Sequence, residues 1–263
     1  MSTDTLKQAP YQTLAEIYDH VMQHVDYDNW AAYIHSVFER FNWHPQKLVD
    51  LACGTGNITV ELSNLDYVVS GVDLSSSMVR EAQKKSPKIP FFVGDLRHLS
   101  EVEGLGPFDA AVCLYDSFNY LLTPDDFQKG LDEVFRILLP ESLFIFDVCT
   151  ESNSLRYFDD ARDSGNGPGF HYKRHSYYDK ITKLQYNHFL IQLDSRDKIL
   201  EETHTQHIYP WEELLAHIKN SPFELLGAFD GFTFNKGSSR SDRIHFILQS
   251  LEPMIDQRSE VFL

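Results

Sequence analysis

The residues most able to do chemistry lie in one short segment, Asp50-Leu-Ala-Cys-Gly-Thr-Gly56. It follows a strand-like run and precedes a helix-like one, so Gly54 and Gly56 permit a tight turn that brings backbone N–H groups to a ligand. A dinucleotide fingerprint would need Gly or Ala where Thr59 stands, and a phosphate-binding loop would need Gly-Lys-Ser/Thr, which is absent. What remains is an acidic residue, Asp50, that could accept a hydrogen bond from an ammonium group.

Two further carboxylates follow the next two strand-like runs. Asp73 ends the second run, where a carboxylate could accept both hydroxyls of a ribose. Asp95 ends the third run and could accept a hydrogen bond from an adenine amino group, while Met78 could pack on the adenine ring. Taken singly, the two acids could cap helices and Met78 could be a core residue. Their register at successive strand ends favours a nucleoside site.

The elements that must position these residues follow an α/β pattern. Five apolar runs alternate with helical stretches, which predicts parallel strands buried on both faces. These runs lie at 48–51, 67–72, 89–93, 108–114 and 142–147. Two amphipathic helices are predicted before them, one with an apolar stripe from Leu14 to Val25 and one with a stripe from Trp30 to Phe41.

After the fifth run the pattern becomes that of an antiparallel sheet with one wet face. Residues 164–169 predict a loop. Alternating runs follow at 171–178, 183–193 and 199–209, then a helix at 211–219 and closing strands at 223–229 and 243–248. We expect a helical lid at residues 1–44 and one domain at 45–263, with a cap inserted at about 155–209.

Together these features resemble the Rossmann-like, class I S-adenosylmethionine-dependent methyltransferases over nearly the whole chain. The family pattern acidic-x-Gly-x-Gly-x-Gly appears with Ala52 in place of the first glycine. The resemblance implies an α/β fold with a seven-stranded, mostly parallel sheet, an N-terminal helical lid and an inserted antiparallel β cap. It also implies S-adenosyl-L-methionine as the cofactor.

Within this family the likeness is greatest to glycine N-methyltransferase and related enzymes that methylate small molecules. There, a tyrosine and a tryptophan near the N-terminus close over the methionine end of the cofactor, and Tyr18 and Trp30 look like these. Lys47 stands where a basic residue precedes the first strand. The resemblance implies cofactor-binding roles for Tyr18, Trp30, Lys47, Asp50, Ala52, Gly54, Gly56, Asp73, Leu74, Met78, Asp95, Leu96 and Leu114.

The acceptor side is predicted from the segment Cys113-Leu-Tyr-Asp-Ser-Phe-Asn-Tyr-Leu121. It resembles Cys-Leu-Gly-Asn-Ser-Phe-Ala-His-Leu of the same enzymes, which borders the reactive methyl and the substrate. Asp116 could hold a substrate ammonium or take up its proton, with Tyr115 as an apolar wall. The predicted acceptor-side residues are Tyr115, Asp116, Asn119 and Tyr120, with Tyr172 and Arg174 of the first cap strand reaching over the pocket. Asp116 could instead cap a turn, Tyr120 could pack in the core, and the cap pair could lie on an exposed face.

We expect methyl transfer to a small-molecule acceptor, at an amine nitrogen. A small-molecule O-methyltransferase and a non-catalytic S-adenosylmethionine-binding protein are the alternatives. The sequence motifs of DNA amino-methyltransferases, cytosine-C5 methyltransferases and protein arginine methyltransferases are absent. Glycine itself is disfavoured, because Cys149 stands where glycine N-methyltransferase places an arginine, and a thiol cannot form a bidentate charged pair with a carboxylate.

The amino-acid composition restricts the kinds of molecule that this protein could bind. The 263 residues carry 23 Lys and Arg against 39 Asp and Glu, a formal charge of −16, which argues against a nucleic-acid partner. No apolar run approaches the roughly 20 residues that span a bilayer, and the N-terminus has no signal-peptide pattern. With three cysteines in apolar runs, we expect a cytoplasmic protein with reduced thiols and no membrane partner. A homo-oligomer stays open. His204-x-x-His207 completes no ligand set, so no metal is expected.

Overall fold

The computed structural model describes residues 5–251. Its strands are β1 (Thr5–Lys7), β2 (Lys47–Leu51), β3 (Val68–Asp73), β4 (Phe91–Val93), β5 (Phe108–Cys113), β6 (Leu138–Cys149), β7 (Ala161–Gly167), β8 (Phe170–Asp179), β9 (Leu184–Leu193), β10 (Ile199–His207), β11 (Phe223–Asp230) and β12 (Arg243–Ser250). Its α-helices are α1 (Tyr18–Val21), α2 (Tyr27–Arg40), α3 (Asn57–Asn64), α4 (Ser76–Lys85), α5 (Pro124–Arg136), α6 (Glu151–Tyr157) and α7 (Trp211–Lys219). Short 3-10 helices lie at Leu14–Glu16, Leu99–Glu101 and Ser117–Tyr120.

The central sheet has seven strands in the order β11-β12-β6-β5-β2-β3-β4. The pairs β2/β3, β3/β4, β2/β5 and β5/β6 are parallel, and β12 runs antiparallel to both of its neighbours. The predicted seven-stranded, mostly parallel sheet is therefore confirmed. Because parallel strands end at the same edge, the carboxyl ends of β2 to β5 meet at one side of the molecule.

Helices cover both faces of this sheet, as its apolar strands require. On one face α2 and α3 pack against the sheet, with Phe38 beside Leu48 and Ala110. On the other face α5 contributes Phe127 to a cluster with Phe146. The second predicted amphipathic helix is thus part of the central layers.

A second sheet has the order β1-β10-β9-β8-β7. Its pairs are antiparallel, apart from β1, which pairs in parallel with β10. The division into a lid at 1–44 and a cap at about 155–209 stays a prediction, and residues 1–4 and 252–263 lie outside the described residues.

The loop predicted at 164–169 is wrong, because residues up to Gly167 form the edge strand β7. Glycines weaken a strand by leaving it without side chains to pack. Here rings on β8 cover them: a Cβ on Gly165 would lie 2.6 Å from the Tyr172 ring, and one on Gly167 would lie 2.5 Å from the Phe170 ring. Aromatic cover of this kind stabilises glycine at a sheet edge.

The first predicted helix is also wrong in extent. Its stripe is divided between the 3-10 turn Leu14–Glu16 and the single α-helical turn α1. The buried carboxylate of Glu202 on β10 accepts the backbone N–H groups of Tyr11, Thr13 and Leu14 at 2.8, 2.5 and 2.9 Å. A continuous helix through this segment is replaced by a turn that follows the second sheet, where Leu14 and its neighbours pack against β9 and β10.

Candidate active site

A cavity of about 1160 Å³ lies between the carboxyl edge of the central sheet and the inner face of the second sheet. The N-terminal segment, the ends of β2 to β5 and the strands β8 to β10 all contribute to its wall. Most of the predicted site residues line it: Tyr18, Asp50, Ala52, Gly54, Asp73, Leu74, Met78, Asp95, Leu96, Leu114, Tyr115, Asp116, Tyr120 and Arg174. The roles predicted for them stay predictions.

The turn after β2 is built from left-handed residues, with φ of +55° at Ala52, +57° at Gly54 and +78° at Gly56. A left-handed alanine costs roughly 1–2 kcal/mol, so the surrounding structure must hold it there. A Cβ on Gly54 would point into open cavity space, with the nearest described atom, a carbon of the Tyr18 ring, 4.0 Å away. Only glycine keeps this cradle free for a ligand that approaches the backbone.

Asp73, at the end of β3, connects this turn to the next helix. Its carboxylate accepts the backbone N–H of Gly54 and that of Ser75, each at 2.8 Å. Burial raises the pKa of Asp73 to about 6. Because each carboxylate oxygen has a second acceptor position, Asp73 can also bind a vicinal diol in the cavity. These acceptor positions fit the two hydroxyl groups of a ribose.

Asp50, at the end of β2, is 2% exposed and accepts the Thr59 hydroxyl at 2.6 Å. Burial raises the pKa of Asp50 to about 7, and the nearby charge of Asp73 adds to the rise. A positive ligand group beside these two carboxyls would favour their ionised forms. The pair therefore fits a cationic ligand.

Asp95, at the adenine end of the predicted site, already has a partner. Arg97 donates to it from Nε at 3.0 Å and from Nη2 at 2.6 Å. Hydrogen bonds from Arg97 lower the pKa of Asp95 below its ordinary value, against the opposing effect of burial. Any adenine contact at Asp95 must share this carboxylate with a guanidinium that the sequence analysis missed.

The turn after β5 holds two consecutive left-handed residues, Tyr115 and Asp116, at φ +62° and +54°. Asp147, fully buried at the end of β6, accepts their backbone N–H groups at 2.6 and 2.9 Å. Arg243 of β12 donates to both carboxylates, at 2.7 Å to Asp116 and through a shorter contact to Asp147. Burial raises the pKa of both acids, and Arg243 opposes part of the rise.

Comparisons with known proteins agree with this arrangement. A methyltransferase domain model matches residues 48–141. The putative methyltransferase YqeM of Bacillus subtilis (strain 168) is 32% identical over 252 residues, covering 93% of this chain and 99% of YqeM. The chain belongs to the class I S-adenosylmethionine-dependent methyltransferases.

Two further matches are a solved structure and a curated enzyme. A crystal structure of an S-adenosylmethionine-dependent methyltransferase from Clostridium acetobutylicum ATCC 824 shares the fold, with a TM-score of 0.77 and 24% identity over 92% of this chain and 99% of that one. The dTDP-3-amino-3,6-dideoxy-alpha-D-glucopyranose N,N-dimethyltransferase of Streptomyces fradiae is 30% identical over 144 residues, which are 53% of this chain and 55% of that enzyme. The cofactor of the 263-residue chain itself is S-adenosylmethionine.

Cys149, at the end of β6, stands where glycine N-methyltransferase places an arginine. In this chain Arg243 of the neighbouring strand β12 lies beside that position. Arg243 pairs with Cys149 across β12 and β6, and its Nη2 lies 3.4 Å from the Cys149 sulfur. The guanidinium thus reaches the cavity from the neighbouring strand, but Asp116 and Asp147 already share it. A glycine carboxylate would have to compete with both acids, so the expectation against glycine stays.

The cap side of the acceptor region is a row of amides. Gln206 donates to the Asp116 carboxylate at 2.5 Å, and its own oxygen accepts from Gln185 at 3.2 Å. Gln185 in turn accepts the Ser154 hydroxyl at 2.7 Å. Asn153 lines the same wall, and its buried Oδ1 has no hydrogen-bond partner within the described structure. Such a wall offers neutral donors and acceptors to a polar substrate.

A second row of polar groups begins at Tyr120 of the 3-10 helix after β5. Its hydroxyl oxygen lies 2.5 Å from that of Tyr11 and 3.5 Å from Nδ1 of His204. The other imidazole nitrogen, Nε2, lies 3.2 Å from the Glu202 carboxylate. The sequence analysis missed Tyr11 and Glu202, and considered His204 only as a metal ligand.

Trp30 and Lys47 lie outside the cavity wall, contrary to their predicted cofactor contacts. Trp30 is 4% exposed and packs behind the wall, with its ring centre 5.6 Å from that of Tyr115 and 5.3 Å from the Arg243 guanidinium carbon. Lys47 is exposed at the start of β2, at the strand end opposite the cavity. Of the two aromatic residues expected to close over the methionine end, only Tyr18 lines the cavity.

Gly56, Asn119 and Tyr172 also lie outside the wall. Gly56 precedes α3 and faces the Phe91 ring. Asn119 is fully buried. Its side chain donates to the His207 carbonyl at 2.7 Å and accepts the Cys149 N–H at 3.0 Å. Tyr172 covers the glycine strand β7.

Within residues 5–251, no group of three or more His, Cys, Asp or Glu side chains is arranged to hold a metal ion. Over the same residues, no helix is long and apolar enough to cross a bilayer.

Proposed function

We propose that this enzyme transfers the methyl group to the nitrogen of a small, polar amine. The observation that carries the proposal is the charge around Asp116, where two carboxylates share one guanidinium. When both carboxyls are ionised, one negative charge has no full counterion in this largely buried region. A cationic ligand group would neutralise it, and opposite charges attract strongly where water is excluded.

The amide row supports a polar acceptor with hydroxyl or carbonyl groups near the amine. Gln185, Gln206 and Asn153 line the cavity with neutral hydrogen-bonding side chains, and the buried Asn153 Oδ1 has no hydrogen-bond partner within the described structure. The Streptomyces fradiae relative is named for dimethylation of an amino sugar nucleotide, and that substrate class agrees with this wall.

When bound, S-adenosylmethionine supplies an electrophilic methyl group on a sulfonium. The protein's task is then mainly alignment. Asp116 would hold the acceptor ammonium near the carboxyl ends of the strands, and Tyr115 would form the apolar side of the pocket. Asp147 and Arg243 hold the turn that carries both residues, so the acceptor contacts are set before the substrate enters.

A second candidate, an O-methyltransferase for small molecules, is favoured by one observation. A hydroxyl nucleophile needs a base, and His204 lines the cavity with its Nδ1 3.5 Å from the Tyr120 hydroxyl oxygen.

A matched acceptor screen tests the two candidates. Pairs of metabolites that differ only in an amino or a hydroxyl group are incubated with S-adenosylmethionine, and release of S-adenosylhomocysteine is measured. We expect turnover of the amines alone. Turnover of the hydroxyl members instead would replace the proposal with O-methylation.

A further inference from the structure

In the row from Tyr11 through Tyr120 and His204 to Glu202, a donor and an acceptor can be assigned to each hydrogen bond. Glu202 accepts three backbone N–H groups, and its carboxylate lies 3.2 Å from Nε2 of His204, so its oxygens act as acceptors. Burial opposes ionisation, yet the hydrogen bonds from His204 and from the backbone lower the pKa of Glu202 below its ordinary value. An ionised Glu202 requires the hydrogen of His204 to be on Nε2.

The opposite side of the imidazole is then fixed as well. With hydrogen on Nε2, the Nδ1 lone pair of His204 faces the Tyr120 hydroxyl, which must donate to it. Because its only hydrogen is used there, Tyr120 accepts the hydrogen of Tyr11 at 2.5 Å. One lone pair of the Tyr120 oxygen is left for a donor in the cavity that this residue lines.

We propose that Tyr120 and His204 form a proton relay that removes a proton from the methyl acceptor, an inference that rests on the proposed amine acceptor. The ammonium N–H bond breaks and its proton bonds to the Tyr120 oxygen. The Tyr120 O–H bond breaks at the same time, and that proton bonds to Nδ1 of His204. The products are a neutral amine, whose lone pair is free to attack the methyl group, a neutral Tyr120, and an imidazolium paired with Glu202.

Neither Tyr120 alone nor Asp116 can do this equally well. Burial raises the pKa of Tyr120 far above its ordinary value, so a free tyrosinate is not formed near neutral pH. Asp116 is paired with the Arg243 guanidinium, whose charge favours the ionised carboxylate and opposes the uptake of a proton. It can hold an ammonium by charge, while the relay takes the proton.

Charged and aromatic groups from several elements surround His204. Glu202 on the same strand contacts it directly, and Tyr11 from the N-terminal segment stacks edge-on, with ring centres 4.3 Å apart. On β9 the neighbour is the uncharged ring of Phe189, with the Arg174 guanidinium carbon of β8 5.8 Å from the centre of that ring. Asp116 lies beyond Gln206 on the cavity side. The 3.5 Å contact to Tyr120 is long, as expected before substrate closes the site.

The first test needs no acceptor. In the full-length enzyme with S-adenosylhomocysteine bound, ¹⁵N NMR of labelled histidine should show His204 protonated at Nε2 and unprotonated at Nδ1. Tyr120→Phe should move the Nδ1 resonance and leave the Nε2–H in place. A proton on Nδ1, or an Nδ1 resonance insensitive to Tyr120→Phe, would overturn the relay.

The second test is a pH profile of kcat/KM with glucosamine, a hydroxyl-rich primary amine, or with the best amine of the acceptor screen. His204→Gln keeps a donor for Glu202 but removes the base, so we expect about a hundredfold loss at pH 7. The loss should fade above the pKa of the free amine, where the acceptor arrives already deprotonated. His188→Gln, the same change on the solvent side of β9, is the matched control.

A loss that is equal at every pH would show a structural role for His204 and reject the relay. The proposed function fails in a different way, since no amine would then be methylated by the unaltered enzyme. The NMR result is read independently of that outcome.

Discussion

At Asp73, one carboxylate holds a backbone turn and faces the ligand at the same time. Replacing it with alanine removes the acceptor for the Gly54 and Ser75 amides, and with it the acceptor that we predict for the ribose hydroxyls. Unpaired polar groups cost roughly 1–3 kcal/mol, so Asp73→Ala should weaken S-adenosylmethionine binding at least about tenfold by calorimetry. Glu224→Ala, which removes an exposed carboxylate on β11, is the control. Unchanged affinity in a folded Asp73→Ala variant would place the cofactor elsewhere.

The raised pKa values of Asp50 and Asp73, about 7 and 6, make cofactor affinity depend on pH. Both acids are more protonated at pH 5 than at pH 8, and a sulfonium binds best beside ionised carboxylates. We expect S-adenosylmethionine affinity to rise at least about tenfold between pH 5 and 8. S-adenosylhomocysteine, which keeps the ammonium group but lacks the sulfonium charge, should gain less, and Asp50→Asn should flatten the profile between pH 6 and 8. Equal profiles for the two ligands would remove the charge argument.

Asp116 belongs to the acceptor and not to the cofactor in this assignment. Asp116→Asn keeps the side chain's shape and removes its charge, so cofactor affinity should hardly change. For an amine acceptor, kcat/KM should fall about tenfold or more, which corresponds to roughly 1.4 kcal/mol. Calorimetry and steady-state kinetics on one preparation separate the two effects. A variant that loses cofactor binding and keeps its acceptor kinetics would reverse the assignment.

Among the elements, regular spacing was enough to predict the central sheet. The run at 108–114 is apolar apart from Asp109 because β5 lies between two parallel strands, and the structure places a strand at Phe108–Cys113. Residues 161–167 contain two glycines and no apolar run, so their sequence does not predict a strand. The rings that cover the glycines of β7 belong to β8. The same limit applies to the site. Spacing finds Asp73 and Asp116 at strand ends, but Arg243 reaches Asp116 only through the pairing of β12 with β6.

The N-terminal elements differ in what they contact, and this predicts which of them responds to ligand. The segment Leu14–Met22 packs on the second sheet and carries Tyr18 into the cavity wall, whereas α2 is anchored in the central core. In hydrogen exchange, S-adenosylhomocysteine should slow exchange in residues 11–22 and leave α2 unchanged. Slower exchange in neither element would make the N-terminal segment ordinary scaffold.

For the whole molecule, a ligand in this cavity contacts both sheets and should stabilise them together. At a concentration one hundred times its Kd, S-adenosylhomocysteine adds about 2.7 kcal/mol to the free energy of unfolding. For a chain of this size that is a rise of roughly 5–10 °C in Tm by calorimetry. The Asp73→Ala variant at the same ligand concentration should show a much smaller rise. Two separate transitions, with only one moved by ligand, would mean that the sheets unfold independently.

The contact between Tyr11 and Glu202 joins residues 191 positions apart, and it has a consequence for synthesis. At about 5–20 residues per second, the ribosome needs roughly 10–40 s to make the chain between them. During that time the first segment has no partner strand, while β2 to β5 can already pair behind it. The pocket can therefore close only after β10 has been made, and a nascent chain stalled before β10 would hold the glycine turn without the strand that carries His204 and Gln206.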